Sequence, residues 1–117
     1  MPYMLFIVEP TGQRATRTEA EGRAVYDRML AFGADLKSRG LLLAAESLTS
    51  EGDATRIQQR EGKASRLDGP FAEAKEMVGG FFLIDCATRE EAEAIARTCP
   101  AAEWATVEVR GLGPCFM

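Results

Sequence analysis

Residues 68–85 read DGPFAEAKEMVGGFFLID, and this stretch decides how the chain is organised. It opens on Asp68-Gly69-Pro70, which is typical of a turn because Asp bonds nearby amides, Gly permits unusual φ and Pro fixes φ. It ends on Val78–Asp85, an apolar run that predicts a β-strand. The segment Asp68–Glu76 holds four ionisable groups in nine residues. It is therefore either a rigid turn with solvated charges or part of a ligand site.

The residues before this stretch predict a strand, a helix and a second strand. Tyr3–Val8 is apolar throughout, whereas residues 9–17 are mostly polar and predict a loop. Thr18 and Glu21 have the spacing of a capping box, so we expect a helix over residues 19–39. Its apolar positions recur at helical spacing, at Val25, Met29, Phe32 and Leu36. Leu41–Leu48 then predicts the second strand.

A hairpin and a second strand–helix–strand unit complete the pattern. Residues 54–60 and 63–67 predict the two arms of the hairpin, with Glu61-Gly62 at its turn. After the Val78–Asp85 strand, Thr88–Glu91 repeats the capping-box spacing and begins a second helix. Trp104–Arg110 alternates in character and predicts the last strand.

This order of elements predicts a ferredoxin-like α+β fold over residues 1–117, with both helices on one face of an antiparallel sheet. The other face should then carry polar residues. Instead, both sets of alternating positions in the first strand are apolar: Tyr3, Leu5 and Ile7 on one face, and Met4, Phe6 and Val8 on the other. A bare apolar face marks an interface. We expect a homodimer that packs sheet against sheet as a dimeric α+β barrel, unless the hairpin and residues 68–76 fold back over that face.

The composition restricts the class of protein. A chain of 117 residues corresponds to about one domain. The net charge of −4 argues against direct nucleic-acid binding, which needs clustered Lys and Arg. No apolar run approaches the ~20 residues that span a membrane, and the first residues lack the basic region of a signal peptide. Three widely spaced cysteines, Cys86, Cys99 and Cys115, are typical of free thiols in a reducing cytoplasm.

The chain contains no histidine, and this restricts its chemistry. Ser-His-Asp and Cys-His catalysis are excluded, as are zinc sites with Cys/His spacing. Any general acid or base has to be Asp, Glu, Lys, Tyr or Cys, and near neutral pH a carboxylate is favoured. No cofactor fingerprint is present, so we predict neither a cofactor nor a metal.

The segment Asp68–Glu76, followed by Gly79–Asp85, closely resembles the DGPF-domain branch of the YCII-related family. The likeness extends over nearly the whole chain, through Tyr3–Leu5, Gly40–Leu48 and Glu108–Arg110. The resemblance implies a ferredoxin-like fold that dimerises into an α+β barrel, as in muconolactone isomerases and small monooxygenases. Members of the wider family have a proposed His-Asp pair, and some are linked to dehydrochlorination of aromatic compounds. The resemblance also implies an association with extracytoplasmic-function sigma factors.

Five residues are candidates for a site in a cleft between the helix-free face and residues 68–76. Asp68 is the one member of the His-Asp pair that can carry over, and it or Glu73 would act as acid and base. Arg66 or Lys75 would bind a substrate carboxylate or phenolate, and Glu46 would supply a further carboxylate. Each has a structural alternative: Glu46 bonding nearby backbone, Arg66 covering a strand edge, and Lys75 pairing with a neighbouring Glu.

Two classes of function stay open. The first is a dimeric protein that binds a small aromatic or anionic molecule, or that regulates a sigma factor. The second is an enzyme of the isomerase, lyase or cofactor-free oxygenase type that uses carboxylate acid–base chemistry. The absence of His and of a cofactor fingerprint favours the first class slightly.

Overall fold

The computed structural model describes residues 1–116, and within them two helices and six strands fold in the predicted order. The helices are Glu19–Ser38 (α1) and Arg89–Thr98 (α2). The strands are Pro2–Pro10 (β1), Leu42–Ser47 (β2), Thr55–Arg60 (β3), Lys63–Asp68 (β4), Glu76–Asp85 (β5) and Thr106–Gly111 (β6).

Four strands form an antiparallel sheet in the order β2-β5-β1-β6, and β3 and β4 form a separate hairpin. This is the ferredoxin-like arrangement with a hairpin inserted between its two halves, so the predicted fold class is confirmed. The predicted last strand begins two residues late, at Thr106, because a 3-10 turn over Pro100–Glu103 leaves Trp104 outside the sheet.

The two helices begin where their caps predict, but the caps differ. Thr18 and Glu21 form the complete capping box, in which each side chain accepts a hydrogen bond from the other's backbone amide. At α2, the Thr88 hydroxyl accepts from the Glu91 amide, but the Glu91 carboxylate accepts from the Ala87 amide instead. The second capping box is therefore only half formed.

The alternation in β1 divides the sheet into two faces. Tyr3, Leu5 and Ile7 are buried against both helices, whereas Met4, Phe6 and Val8 lie on the helix-free face and are only partly buried. The core is closed by side chains of α1, β5 and α2; the Phe32 and Phe82 rings meet edge to face at 5.1 Å.

The β3–β4 hairpin projects from the sheet as an arm. Every residue of both strands is exposed, including Ile57 at 64% and Leu67 at 58%. The radius of gyration is 16.1 Å, compared with about 13 Å for a compact chain of this length. The arm thus does not fold back over the helix-free face. No helix in residues 1–116 is long and apolar enough to cross a membrane.

Candidate functional site

A cleft of about 610 Å³ lies between α1 and the sheet, on the face opposite to the one that the sequence favoured. The buried residues of α1, Phe32, Gly33 and Leu36, all lie towards its C-terminal end, so the rest of the helix leaves space above the sheet. An unbroken stripe of α1 faces the cleft at helical spacing: Gly22, Val25, Tyr26, Met29, Leu30, Gly33, Ala34 and Lys37. At 1.5 Å per residue the stripe is about 22 Å long. The volume suits a small organic ligand.

The walls of the cleft are mainly apolar. Ile7 and Phe82 form part of the sheet side, Met29 lies on the helix side, and Trp104 is a further lining residue. The Arg17 guanidinium lies 5.8 Å from the centroid of the Trp104 ring, and that of Arg28 lies 5.3 Å from it. These cation–π contacts favour a fixed position of the Trp104 ring.

Arg28 is held in turn by a surface ion pair with Glu103. Their hydrogen bond lowers the pKa of the Glu103 carboxyl and raises the pKa of the Arg28 guanidinium. Because both side chains are exposed, this pair orients Arg28 and adds little to stability.

An ion pair between a buried carboxylate, Glu9, and a half-buried guanidinium, Arg14, lies in the cleft. Glu9 continues the inward-facing set of β1 and is 6% exposed. Arg14, at the start of a 3-10 turn over Arg14–Thr16, donates to it through two nitrogens: Nε to Oε2 at 3.1 Å and Nη2 to Oε1 at 2.7 Å. A two-point contact of this kind fixes the carboxylate plane as well as its charge.

Arg14 also ties together the ends of three strands. Its Nη1 donates to the Leu48 carbonyl at 2.8 Å, just after β2, and its Nη2 donates to the Gly79 carbonyl of β5 at 3.3 Å. Most of its five donors are therefore already used. The Glu9 oxygens, which each accept one bond from Arg14, retain lone pairs for a ligand hydroxyl or amine.

The ion pair requires glycine at position 79. A Cβ there would lie 1.7 Å from Glu9 Oε1 and 2.7 Å from Arg14 Nη2, so any side chain would displace the pair. At the next position, a Cβ on Gly80 would lie 2.9 Å from the Glu46 carbonyl oxygen of β2. The Gly79-Gly80 dipeptide thus lets β5 approach both the ion pair and its neighbouring strand.

The predicted site residues do not come together. Glu46 lines the cleft, as do Arg17 and Lys37. Asp68 lies at the base of the arm, where it accepts hydrogen bonds from Thr55 at 2.9 Å and from Arg66 at 3.0 Å. Asp68 and Arg66 are both more than 60% exposed, and neither lines the cleft. Glu73 and Lys75 are exposed and also lie outside it.

Glu9, Arg14 and Trp104 were missed as site residues. The alternation in β1 could have identified Glu9. Glu9 follows Tyr3, Leu5 and Ile7 on the same face of the strand, and this position predicts a buried charged residue. Arg14 lay in a segment predicted to be an unremarkable loop. The position of Trp104 beside α1 depends on the 3-10 turn after α2, which the strand prediction overlooked.

The two cysteines of the core are structural. Cys86 and Cys99 are buried, and desolvation raises the pKa of both thiols, so they stay protonated near neutral pH. Cys115 is exposed and lies outside the cleft.

Comparisons with known proteins agree with this fold. The family model of the YCII-related domain matches residues 1–114. An uncharacterised protein, R00369, of Rhizobium meliloti strain 1021 is 44% identical over 61 residues, which cover 50% of this chain and 49% of that protein. The match thus spans about half the length of the curated relative.

A solved structure, the 5-chloro-2-hydroxyhydroquinone dehydrochlorinase of Burkholderia phenoliruptrix AC1100 in complex with 2,5-dihydroxybenzoquinone, is similar at a TM-score of 0.57 and 14% identity. The likeness covers 97% of this chain and 94% of the other, and at this identity it shows a shared fold alone. With the family model matching almost its whole length, the chain belongs to the YCII-related family.

Proposed function

We propose that this protein binds a small molecule with an apolar, ring-sized body and an anionic group in the cleft between α1 and the sheet. The observation that carries the proposal is the Glu9–Arg14 pair, whose carboxylate is buried, in a cleft with mainly apolar walls. Burying a charged pair is costly and often destabilising relative to apolar side chains. Its presence beside open space favours a role in binding.

The remaining charges of the cleft favour an anionic ligand. Arg17 and Lys37 add two positive charges, Glu46 adds one negative charge, and Glu9 is neutralised by Arg14. A ligand carboxylate or phenolate would pair with Arg17 or Lys37, and a ligand hydroxyl would donate to Glu9. Val25, Met29 and Phe82 would cover the ring.

An enzymatic role is the second candidate, and the position of Glu9 favours it. A carboxylate that is held in a fixed plane and lines an apolar cleft can take a proton from a bound phenol or from an acidic C–H group. The solved dehydrochlorinase of similar fold acts on a hydroxylated aromatic ring, in agreement with this possibility. That Asp68 or Glu73 acts as the general acid and base stays a prediction. That the protein regulates a sigma factor also stays a prediction.

We also propose that the protein is a cytoplasmic homodimer. The helix-free face carries Met4, Phe6, Phe81 and Leu83 on adjacent strands, all only partly buried. Such a contiguous apolar surface favours a second copy as its cover. The three free thiols favour a reducing compartment.

Titration calorimetry with three probes tests the proposal: benzoate, 2,5-dihydroxybenzoquinone and the neutral benzamide. We expect the first two, which are both anionic near neutral pH, to bind more tightly than benzamide. Glu9→Gln should weaken the binding of both, because it loses the two-point contact that holds Arg14 in the cleft. Quenching or a shift of the fluorescence of Trp104, the single tryptophan, should follow benzoate binding.

Asp68→Asn serves as the contrasting variant. It removes the charge that pairs with Arg66 at the base of the arm. We expect a slightly lower melting temperature and unchanged probe affinity. Loss of binding in Asp68→Asn but not in Glu9→Gln would place the site beside the 68–76 segment instead. No binding of any probe at millimolar concentration would contradict the proposed ligand class.

A further inference from the structure

The Asp-Gly-Pro-Phe segment lies outside the cleft, but a series of contacts connects this segment to the cleft. Gly69 approaches the loop before β3 so closely that a Cβ would lie 1.8 Å from the Glu51 carbonyl oxygen. Its amide donates to the Ala54 carbonyl at 2.8 Å. Only glycine therefore allows the chain to turn here towards β5.

Phe71 anchors the next residues. It is 8% exposed, and the Arg56 guanidinium lies 3.7 Å from the centroid of its ring. The Ala74 amide donates to the Phe71 carbonyl at 3.0 Å and closes a turn over residues 71–74. A buried aromatic residue beside a cation thus fixes this short segment, residues 71–75, which we call the 71–75 turn.

The 71–75 turn holds Thr11 at two points. The Thr11 amide donates to the Lys75 carbonyl at 3.0 Å, and the Thr11 hydroxyl donates to the Ala74 carbonyl at 2.9 Å. Thr11 lies in the short loop between β1, which contains Glu9, and the 3-10 turn that begins at Arg14. Glu9 and Arg14 are therefore joined by a loop that is hydrogen-bonded to the 71–75 turn.

The same loop is fixed to the cleft wall at its other end. The Gln13 side-chain amide donates to the Trp104 carbonyl at 2.8 Å, and the Gln13 backbone amide donates to the Pro10 carbonyl at 3.3 Å. Thr11 and Gln13 together restrict where Arg14 can lie. Holding a functional group in this way requires a second layer of contacts behind it.

We propose that the 71–75 turn is a positioning element for the Glu9–Arg14 pair, and that Thr11 is the residue through which it acts. The inference rests on the proposed function for its effect on binding. The motif that dominates the sequence then has a role at the site without contacting the ligand.

Thr11→Val tests this step because it removes the hydroxyl and keeps the shape of the side chain. We expect the affinity for benzoate or 2,5-dihydroxybenzoquinone to fall about three- to tenfold, as for one lost hydrogen bond. Thr11→Ser, which keeps the hydroxyl, should bind the probes with wild-type affinity. Thr98→Val is the matched control, because it also removes a hydroxyl-to-carbonyl bond but lies on α2, outside the cleft.

A second readout does not depend on any ligand. The Nε–H resonance of Arg14, assigned by its loss in Arg14→Lys, reports the contact with Glu9 at 3.1 Å. In Thr11→Val we expect its exchange with water to be about threefold faster or more, because the loop opens more often. Thr11→Ser and Thr98→Val should leave the exchange rate unchanged.

The outcomes separate this inference from the proposed function. If Thr11→Val binds the probes and protects the Arg14 Nε–H as the wild type does, the positioning role is overturned, even where Glu9→Gln abolishes binding. If no probe binds to the wild type but the Arg14 resonance responds to Thr11→Val alone, the positioning role stands and the ligand class fails. An exchange rate in Thr11→Ser that is raised as much as in Thr11→Val also overturns the positioning role.

Discussion

Substitution of Gly79 by alanine is the perturbation that tests the buried pair most severely. The added Cβ would lie 1.7 Å from Glu9 Oε1, whereas real Cβ atoms essentially never approach within 3.0 Å. The difference between 3.0 and 1.7 Å requires a movement of at least 1.3 Å. A movement of that size breaks the 2.7 Å hydrogen bond between Arg14 Nη2 and Glu9 Oε1.

The expected cost follows from the burial of the two partners. Breaking a fully buried ion pair costs about 3–5 kcal/mol, and overpacking alone costs about 1–3 kcal/mol. Because the Arg14 side chain is 33% exposed and can regain water, we expect about 2–3 kcal/mol for Gly79→Ala. In a chain of this length the melting temperature should fall by about 6–12 °C.

The assay is urea denaturation followed by circular dichroism, with Glu9→Ala as the second arm of a double-mutant cycle. Without the Glu9 side chain the added methyl group loses its main steric conflict. The cost of Gly79→Ala should then fall to less than half. Equal costs in both backgrounds, or a cost under about 0.5 kcal/mol in the wild type, a value typical of neutral surface changes, would refute the geometry of the pair.

Three further predictions concern the fold, the thiols and the interface. Thr18→Ala should destabilise the protein by about 1 kcal/mol, measured by urea denaturation, because it removes the N-cap of α1. Thiol labelling of the native protein should show one fast group, Cys115, and two slow ones, with Cys115→Ser removing the fast phase. Light scattering of Phe6→Asp, on the helix-free face, should give a monomer mass at micromolar concentration where the wild type gives a dimer; a wild-type monomer contradicts the proposed homodimer.

Patterns that depend on local chemistry predicted the fold well. The alternation in β1 identified both faces of the sheet, and the capping box located the start of α1 at Glu19. The Glu61-Gly62 turn of the hairpin was also correct, since both residues adopt positive φ. These features are decided by neighbouring residues and therefore appear in the sequence.

The cleft could not be predicted in the same way, because it depends on how one helix lies on the sheet. Val25, Met29, Phe32 and Leu36 form a single apolar series in the sequence, and all four predicted a packed helix face. In the structure Phe32 and Leu36 are buried, whereas Val25 and Met29 line the cleft. Periodicity identifies which residues share a face, but not whether that face meets side chains or open space.

For a related reason, the charged segment Asp68–Glu76 was predictable as a candidate site, whereas the ion pair of the cleft was not. The density of ionisable residues in this segment is visible in the sequence, while the burial of Glu9 against Arg14 depends on the close approach of β5 at Gly79. The importance of a charge depends on its surroundings, which only the folded chain defines.

If the cleft along α1 is the binding site, a side chain that fills it should prevent ligand binding. Gly22 lines the cleft, and a Cβ added there meets nothing within 4 Å, so Gly22→Phe introduces a ring at the cleft without a steric conflict at its Cβ. We measure the dissociation constant of 2,5-dihydroxybenzoquinone or benzoate by calorimetry for wild type, Gly22→Phe and the control Gly22→Ala. We expect wild-type affinity for Gly22→Ala and a loss of about tenfold or more for Gly22→Phe. Wild-type affinity in Gly22→Phe, with its fold intact, would contradict this expectation.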